Sequence, residues 1–212
     1  MERYKIMYIS NIKHSIMTLY TNGFNDPYSH VTKLVLAEKC LDFDERLIKD
    51  HIESLRKINP YCYTPTFIDR DLILYKAEII TEYIDERFPH PPLMPSNPIL
   101  KGKTRLLIYR INKDWFKTLN YILNLRNDLS INLEEYKKNL ITQIEGAKIL
   151  FKDMPYFLSE SFSLIDCWIS TLLWYLQEID KDFLDREKLI YEYSRKMFAR
   201  NSFRKVLNKK KK

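Results

Sequence analysis

Glycine, cysteine and long apolar runs are all scarce in this chain, and each scarcity excludes something. Three glycines among 212 residues leave no glycine-rich loop to cradle a phosphate. With 45% hydrophobic residues, the chain instead has the makings of a globular protein that buries its core in one large or two small domains. The three cysteines, Cys40, Cys62 and Cys167, are odd in number and widely spaced, with neither a CxxC pair nor a histidine at metal spacing. That excludes a paired redox motif and a structural metal site, and it predicts three buried thiols. No run approaches the roughly 18 apolar residues of a membrane span, and the N-terminus lacks the basic, apolar and small-residue order of a signal peptide. A cytoplasmic protein without membrane contact is the expectation.

Acidic residues are missing from one place in particular. Arg204, Lys205 and Lys209 to Lys212 supply six positive charges without an acid among them, so of the formal +7 everything before that tail carries only +1, seven less six. A nearly neutral body argues against a wide nucleic-acid-binding face, so any effect on DNA should run through a protein partner. The basic tail, residues 206–212, either steers the chain toward an acidic partner or is a solvated end.

What the chain does have is proline in one place. Five of its nine prolines lie between Phe88 and Pro98. Each removes an amide donor and fixes φ, so neither a helix nor a central strand runs through. Residues 89–98 therefore read as a stiff linker between residues 16–88 and residues 99–205, with residues 1–15 as an N-terminal extension to which no function is assigned.

Before the linker, short strand-like runs alternate with helical ones. Ile16 to Thr21 reads as a buried strand, and Asp26-Pro27 as a helix start, because the carboxylate can accept orphan amides of the first turn while Pro has none to lose. Phe43 to Ile48 fits a strand, His51 to Ile58 a short helix, and Thr64 to Ile68 and Leu72 to Tyr75 a hairpin turning at Asp69-Arg70-Asp71. Thr64-Pro65, at a strand start, is a candidate cis peptide. Lys76 to Phe88 closes the half as a helix. The order β-α-β-α-β-β-α is that of a thioredoxin-like α/β domain. After the linker the pattern is helical: Ile99 to Arg126, Leu133 to Lys152, and Asp185 to Arg200. Ser163-x-x-Asp166 is a capping box opening a run from Cys167 to Leu176 that is apolar nearly all round, hence a central helix. Trp115 and Trp168 read as core residues.

Together these features resemble the glutathione S-transferase fold, with a thioredoxin-like N-terminal domain and an all-α C-terminal domain, across residues 16–205. Within that fold, Asp26-Pro27-Tyr28-Ser29-His30, Val35 to Lys39, Glu82 to Pro95 and Lys113-Asp114-Trp115 are similar to the stringent starvation protein A family. The resemblance implies a transcription regulator that associates with bacterial RNA polymerase holoenzyme and alters promoter use under starvation or stress, virulence genes included. It places the partner-binding surface on Pro89, His90, Pro91 and Pro92.

The same resemblance implies a vestigial glutathione pocket of Asp26, Thr64, Pro65, Lys76 and Ala77. A transferase needs a hydroxyl or thiol at the start of the first helix to hold the glutathione thiolate, and Asp26 stands there. It also needs a Glu/Gln-Ser pair after the fourth strand, and Lys76-Ala77 stands there. No catalytic residue, cofactor or metal is therefore expected, with Tyr20 and Ser29 as conceivable substitutes for the missing hydroxyl. The alternatives are a divergent glutathione-dependent stress enzyme and a subunit that only stabilises a paralogous partner. Proteins of this fold usually dimerise. A homodimer and a mixed dimer with a paralogue both fit, and the cleft between subunits could accept an anionic signalling nucleotide.

Overall fold

The computed structural model of the chain describes residues 16–23, 25–128 and 130–208. The N-terminal extension and Lys209 to Lys212 lie outside the described residues. Four strands, β1 (Thr18–Thr21), β2 (Asp44–Leu47), β3 (Thr66–Asp69) and β4 (Leu72–Tyr75), make one mixed sheet in the order β2-β1-β3-β4. β1 runs parallel to β2 and antiparallel to β3, and β3 and β4 form a hairpin. Side chains alternate across it as period two requires. Leu19 and its partner Phe67 face the main core, whereas Tyr20 and Ile68 pack with Leu55 on the other side. The helices of this half are α1 (Pro27–Glu38), α2 (Ile48–Ile58) and α3 (Ala77–Arg87). α2 starts three residues before the predicted His51 because His51 itself leaves helical geometry (φ −133°) and kinks a helix already begun.

The second half contains α4 (Pro98–Ile111), α5 (Lys117–Leu125), α6 (Glu134–Gly146), α7 (Leu164–Ile179), α8 (Phe183–Arg186), α9 (Lys188–Phe198) and α10 (Asn201–Asn208). At its centre is α7. Every residue from Leu164 to Leu173 is buried, and each such Leu or Ile stabilises by about 1.5–3 kcal/mol. It packs on α1, α4 and α9 and so ties the halves together. Its capping box is formed, and the fully buried Asp166 carboxylate accepts four hydrogen bonds: the Ser163 amide (2.8 Å) and hydroxyl (2.9 Å), the Phe157 amide (2.9 Å) and the Tyr193 hydroxyl (2.7 Å).

Several expectations need correction. The single pattern from Ile99 to Arg126 is α4 and α5 joined by a π-helical turn at Asn112–Phe116. A turn of that kind inserts a residue, and here Phe116 goes into the core 4.7 Å from the Trp168 ring while Asn112 meets Tyr28. The last predicted helix, Asp185 to Arg200, is the end of α8 followed by α9, and a further helix, α10, lies beyond it. Glu187 is extended, and further on Arg200 makes a two-pronged contact with Glu38 (2.7 Å each) that turns the chain so that Phe203 buries against His30. α10 then runs to Asn208, so residues 206–208 belong to it and not to a tail. Only Cys167 is a buried thiol. Cys40 is exposed and Cys62 half-buried; both sit at left-handed positions (φ 55° and 50°) in turns that follow helices. Among the described residues no helix is long and apolar enough to cross a membrane.

Candidate functional site

Two places hold the residues that the sequence singles out. The first is one edge of the sheet. α1 begins after β1, Thr64-Pro65 precedes β3, and Lys76-Ala77 follows β4. Tyr20 pairs with Thr66 and Thr66 with Tyr75, so all three segments meet at the same end of the sheet. Thr64-Pro65 is a cis peptide, as expected. Ala77 is buried, while Lys76 is exposed at φ 71°.

At α1 the Asp26 carboxylate caps the helix. Its Oδ1 accepts the amides of Tyr28 and Ser29 (3.1 Å each), and its Oδ2 accepts the Ser29 hydroxyl at 2.5 Å. Asp26 and Ser29 are both buried, so Ser29 is occupied in holding the cap. Tyr20 points to the opposite face of the sheet, where Arg46 donates to its hydroxyl at 3.4 Å. The Tyr28 hydroxyl donates to Asn112 Oδ1 at 2.8 Å, and Asn112 Nδ2 donates to Glu78 in the first turn of α3. Burial first, then the charges of Glu78 and Asp26, pushes the Tyr28 phenol well above its ordinary value and keeps it neutral. Two helix N-termini at one edge thus each carry a carboxylate, where their amides and dipoles would otherwise receive an anion. Glu78, Tyr28 and Asn112 were missed in the sequence because their partners are 34 and 84 residues away.

The second place is the linker. Pro89, His90, Pro91 and Pro92 are all exposed and follow one another over the end of α3, with His90-Pro91 also cis. Leu93 and Met94 then turn into the core. Beneath this ridge lies a buried ion pair. Lys39, at the end of α1, donates to Asp85 (2.6 Å) and to the carbonyls of Phe88 (2.7 Å) and Pro91 (2.5 Å), while Asp85 accepts the amides of Leu93 (2.8 Å) and Met94 (3.0 Å). Neither was singled out from sequence. Their signal was a charge on a buried helical face, Lys39 following Val35 and Leu36, and Asp85 following Thr81 and Ile84. Asn97, near the end of the linker, caps α4 by accepting the amides of Ile99 (2.9 Å) and Leu100 (3.2 Å).

A shallow groove between α1 and α10 lies toward the other end of α1 from Asp26, and its Lys33 is already paired with Glu45 at 3.0 Å. Among the described residues no group of three or more His, Cys, Asp or Glu side chains could hold a metal.

Comparison with known proteins adds the following. Residues 15–86 match the glutathione S-transferase N-terminal domain. The chain is 42% identical over 198 residues to a stringent starvation protein A homolog of Pasteurella multocida, covering 92% of each. It is 40% identical to the homolog of Haemophilus influenzae, covering 90% of each. Among solved structures, FzlA from C. crescentus superposes with a TM-score of 0.78 at 20% identity (91% of this chain, 92% of that one). A glutathione S-transferase from Rhodospirillum rubrum superposes at 0.77 with the same identity and coverage. At that identity the two structures speak to fold alone.

Proposed function

The chain belongs to the stringent starvation protein A family, and from that premise we propose that it is a non-enzymatic cytoplasmic regulator that binds bacterial RNA polymerase holoenzyme through Pro89, His90, Pro91 and Pro92 and alters promoter use under starvation or stress, with virulence genes among its targets. The observation that carries this reading is the contrast in exposure. The four ridge residues face solvent, whereas at the sheet edge Asp26 and Ser29 are buried against each other and Tyr28, Asn112 and Glu78 are matched to one another.

A transferase site needs a free hydroxyl or thiol beside helix amides to hold a thiolate. Here Asp26 already occupies those amides, and an ionised carboxylate repels a thiolate. Glu78 sets a second negative charge beside the place where the transferase would bind the γ-glutamyl end. The ridge suits docking for a separate reason, because a segment whose shape is fixed beforehand loses little entropy when a partner covers it. Self-association belongs to the same proposal. Ile79 on α3 and Leu106 and Tyr109 on α4 are exposed apolar side chains that a second copy or a paralogue would cover, and light scattering of the chain alone and with a paralogue separates the two.

The test is replacement of Pro89, His90 and Pro91 by alanine. Co-purification of polymerase subunits with the tagged chain should be abolished while the melting temperature stays nearly unchanged. Retained co-purification, or glutathione conjugation at an ordinary transferase rate, would overturn the reading.

A further inference from the structure

We propose that the buried Lys39–Asp85 pair is the positioning device of the Pro89–Pro92 surface, setting the shape in which the ridge meets its partner without itself touching that partner. The inference rests on the polymerase reading above and adds to it two residues and the route by which they act.

An ammonium has three protons, and Lys39 Nζ finds three acceptors: Asp85 Oδ1, the Phe88 carbonyl and the Pro91 carbonyl. Phe88 and Pro91 bracket Pro89 and His90, so one side chain closes the base of the loop. Asp85 then takes the amides of Leu93 and Met94, one on each oxygen, and fixes the point where the chain leaves the surface. The Leu93 carbonyl accepts the Leu164 amide at 2.8 Å, which joins the far end of the ridge to the start of α7.

Neither partner of the pair serves the helix that carries it. The side chains are 0% and 8% exposed, and burying an ion pair is often no better for stability than an apolar pair of the same volume. What the pair adds is direction. Proline has removed three of the four amides from the ridge, leaving only that of His90, and the Phe88 and Pro91 carbonyls take their donor from Lys39. The remaining charges around the ridge are matched elsewhere: Glu86 with Lys101 (2.8 Å), Arg87 with Asp69 (2.6 Å) and Glu82 with Arg105. Lys39 and Asp85 alone among these point into the loop backbone.

The experiment has an arm that needs no partner. In the wild-type chain, amide hydrogen exchange at Leu93 and Met94 should be slowed at least a hundredfold relative to the exposed Ser96. Equal exchange at the three positions would overturn the inference. In Asp85→Asn, exchange at Leu93 and Met94 should rise at least tenfold more than at Phe67 in β3, which reports only the global loss of stability, and retention of holoenzyme should fall at least tenfold. Lys39→Met, which keeps the aliphatic stem and removes only the donors, should cost the same in retention. Either variant binding holoenzyme as well as wild type, with its strand amides protected, would overturn the inference.

A role through the ridge also predicts non-additivity. His90→Ala should weaken retention at least tenfold in the wild-type background and less than twofold in the Asp85→Asn background; equal losses in both would mean that the pair acts only on global stability. Should neither variant fold, the wild-type exchange pattern decides by itself. If the wild-type chain retains no holoenzyme, the polymerase reading fails, while the exchange arm still reports on the loop.

Discussion

The sheet edge and the proline ridge solve the same problem in opposite directions. Both gather helix ends, buried charge and backbone groups that must be satisfied. At the sheet edge, Asp26 closes on the first turn of α1 and on Ser29, and Tyr28, Asn112 and Glu78 close on one another, so the hydrogen-bonding capacity is consumed within the protein. At the ridge, Lys39 and Asp85 satisfy the backbone from beneath and leave the outward face of Pro89 to Pro92 to solvent. On the function proposed above, a fold whose relatives include transferases keeps its architecture while its working surface moves from a cleft to a loop. Internal satisfaction at one and outward exposure at the other are what separate the two regions.

The sharpest way to break that comparison is to remove the support below the ridge. Asp85→Ala leaves a buried ammonium without its counter-charge and should cost about 3–5 kcal/mol in denaturant unfolding. A loss below 1 kcal/mol would mean that the pair is not buried in solution.

Acid should act on the helix that links the regions. His30, on α1 between Asp26 and Lys39, lies against the rings of Tyr175 and Phe203. Burial, with a smaller contribution from Lys33, pushes its imidazole down to about 3 from the ordinary 6.5. The unfolded chain therefore binds a proton that the folded one refuses. His30 costs nothing above pH 6.5, and stability falls by about 1.4 kcal/mol per pH unit as pH drops from there toward 3. His30→Phe should flatten the curve by that slope. Parallel curves for the two proteins between pH 6.5 and 4.5 would contradict the assignment.

A smaller effect is expected at the cap of α1. Asp26→Ala should lower stability by about 1 kcal/mol, whereas Asp26→Ser, which restores a hydroxyl, should lose only a few tenths. Neither should gain glutathione conjugation, because Glu78 and Lys76-Ala77 remain; turnover by the serine variant would show that the aspartate alone silences the cleft. Smallest of all, alanine at Pro89 or His90 should shift unfolding by no more than about 0.5 kcal/mol, as for surface positions generally.

How much of this could be read in the sequence depended on distance along the chain. Asp26-Pro27 and Ser163-x-x-Asp166 were legible because a cap is a local device whose donor and acceptor lie within three residues. The succession of strands and helices before the linker and the proline segment itself were legible for similar reasons: runs of apolar residues, and an imino acid that forbids regular structure. What escaped was long-range. The Lys39–Asp85 pair spans 46 residues and the Arg200–Glu38 contact 162, and no periodicity announces either. The π-helical turn at Asn112–Phe116 escaped because its cause is tertiary, the demand that Phe116 reach Trp168 while Asn112 reaches Tyr28. Cys40 and Cys62 misled because burial was inferred from residue type, whereas both fall in turns after helices and not on a core-facing element.

The central claim, that the ridge rather than the cleft is the working surface, is tested most directly by titrating purified RNA polymerase holoenzyme against the labelled chain with and without saturating glutathione, for wild type and for the variant with alanine at 89, 90 and 91. The account predicts wild-type binding that glutathione does not alter and that the ridge variant loses at least a hundredfold. Equal binding by both chains, or binding that glutathione displaces, would contradict it.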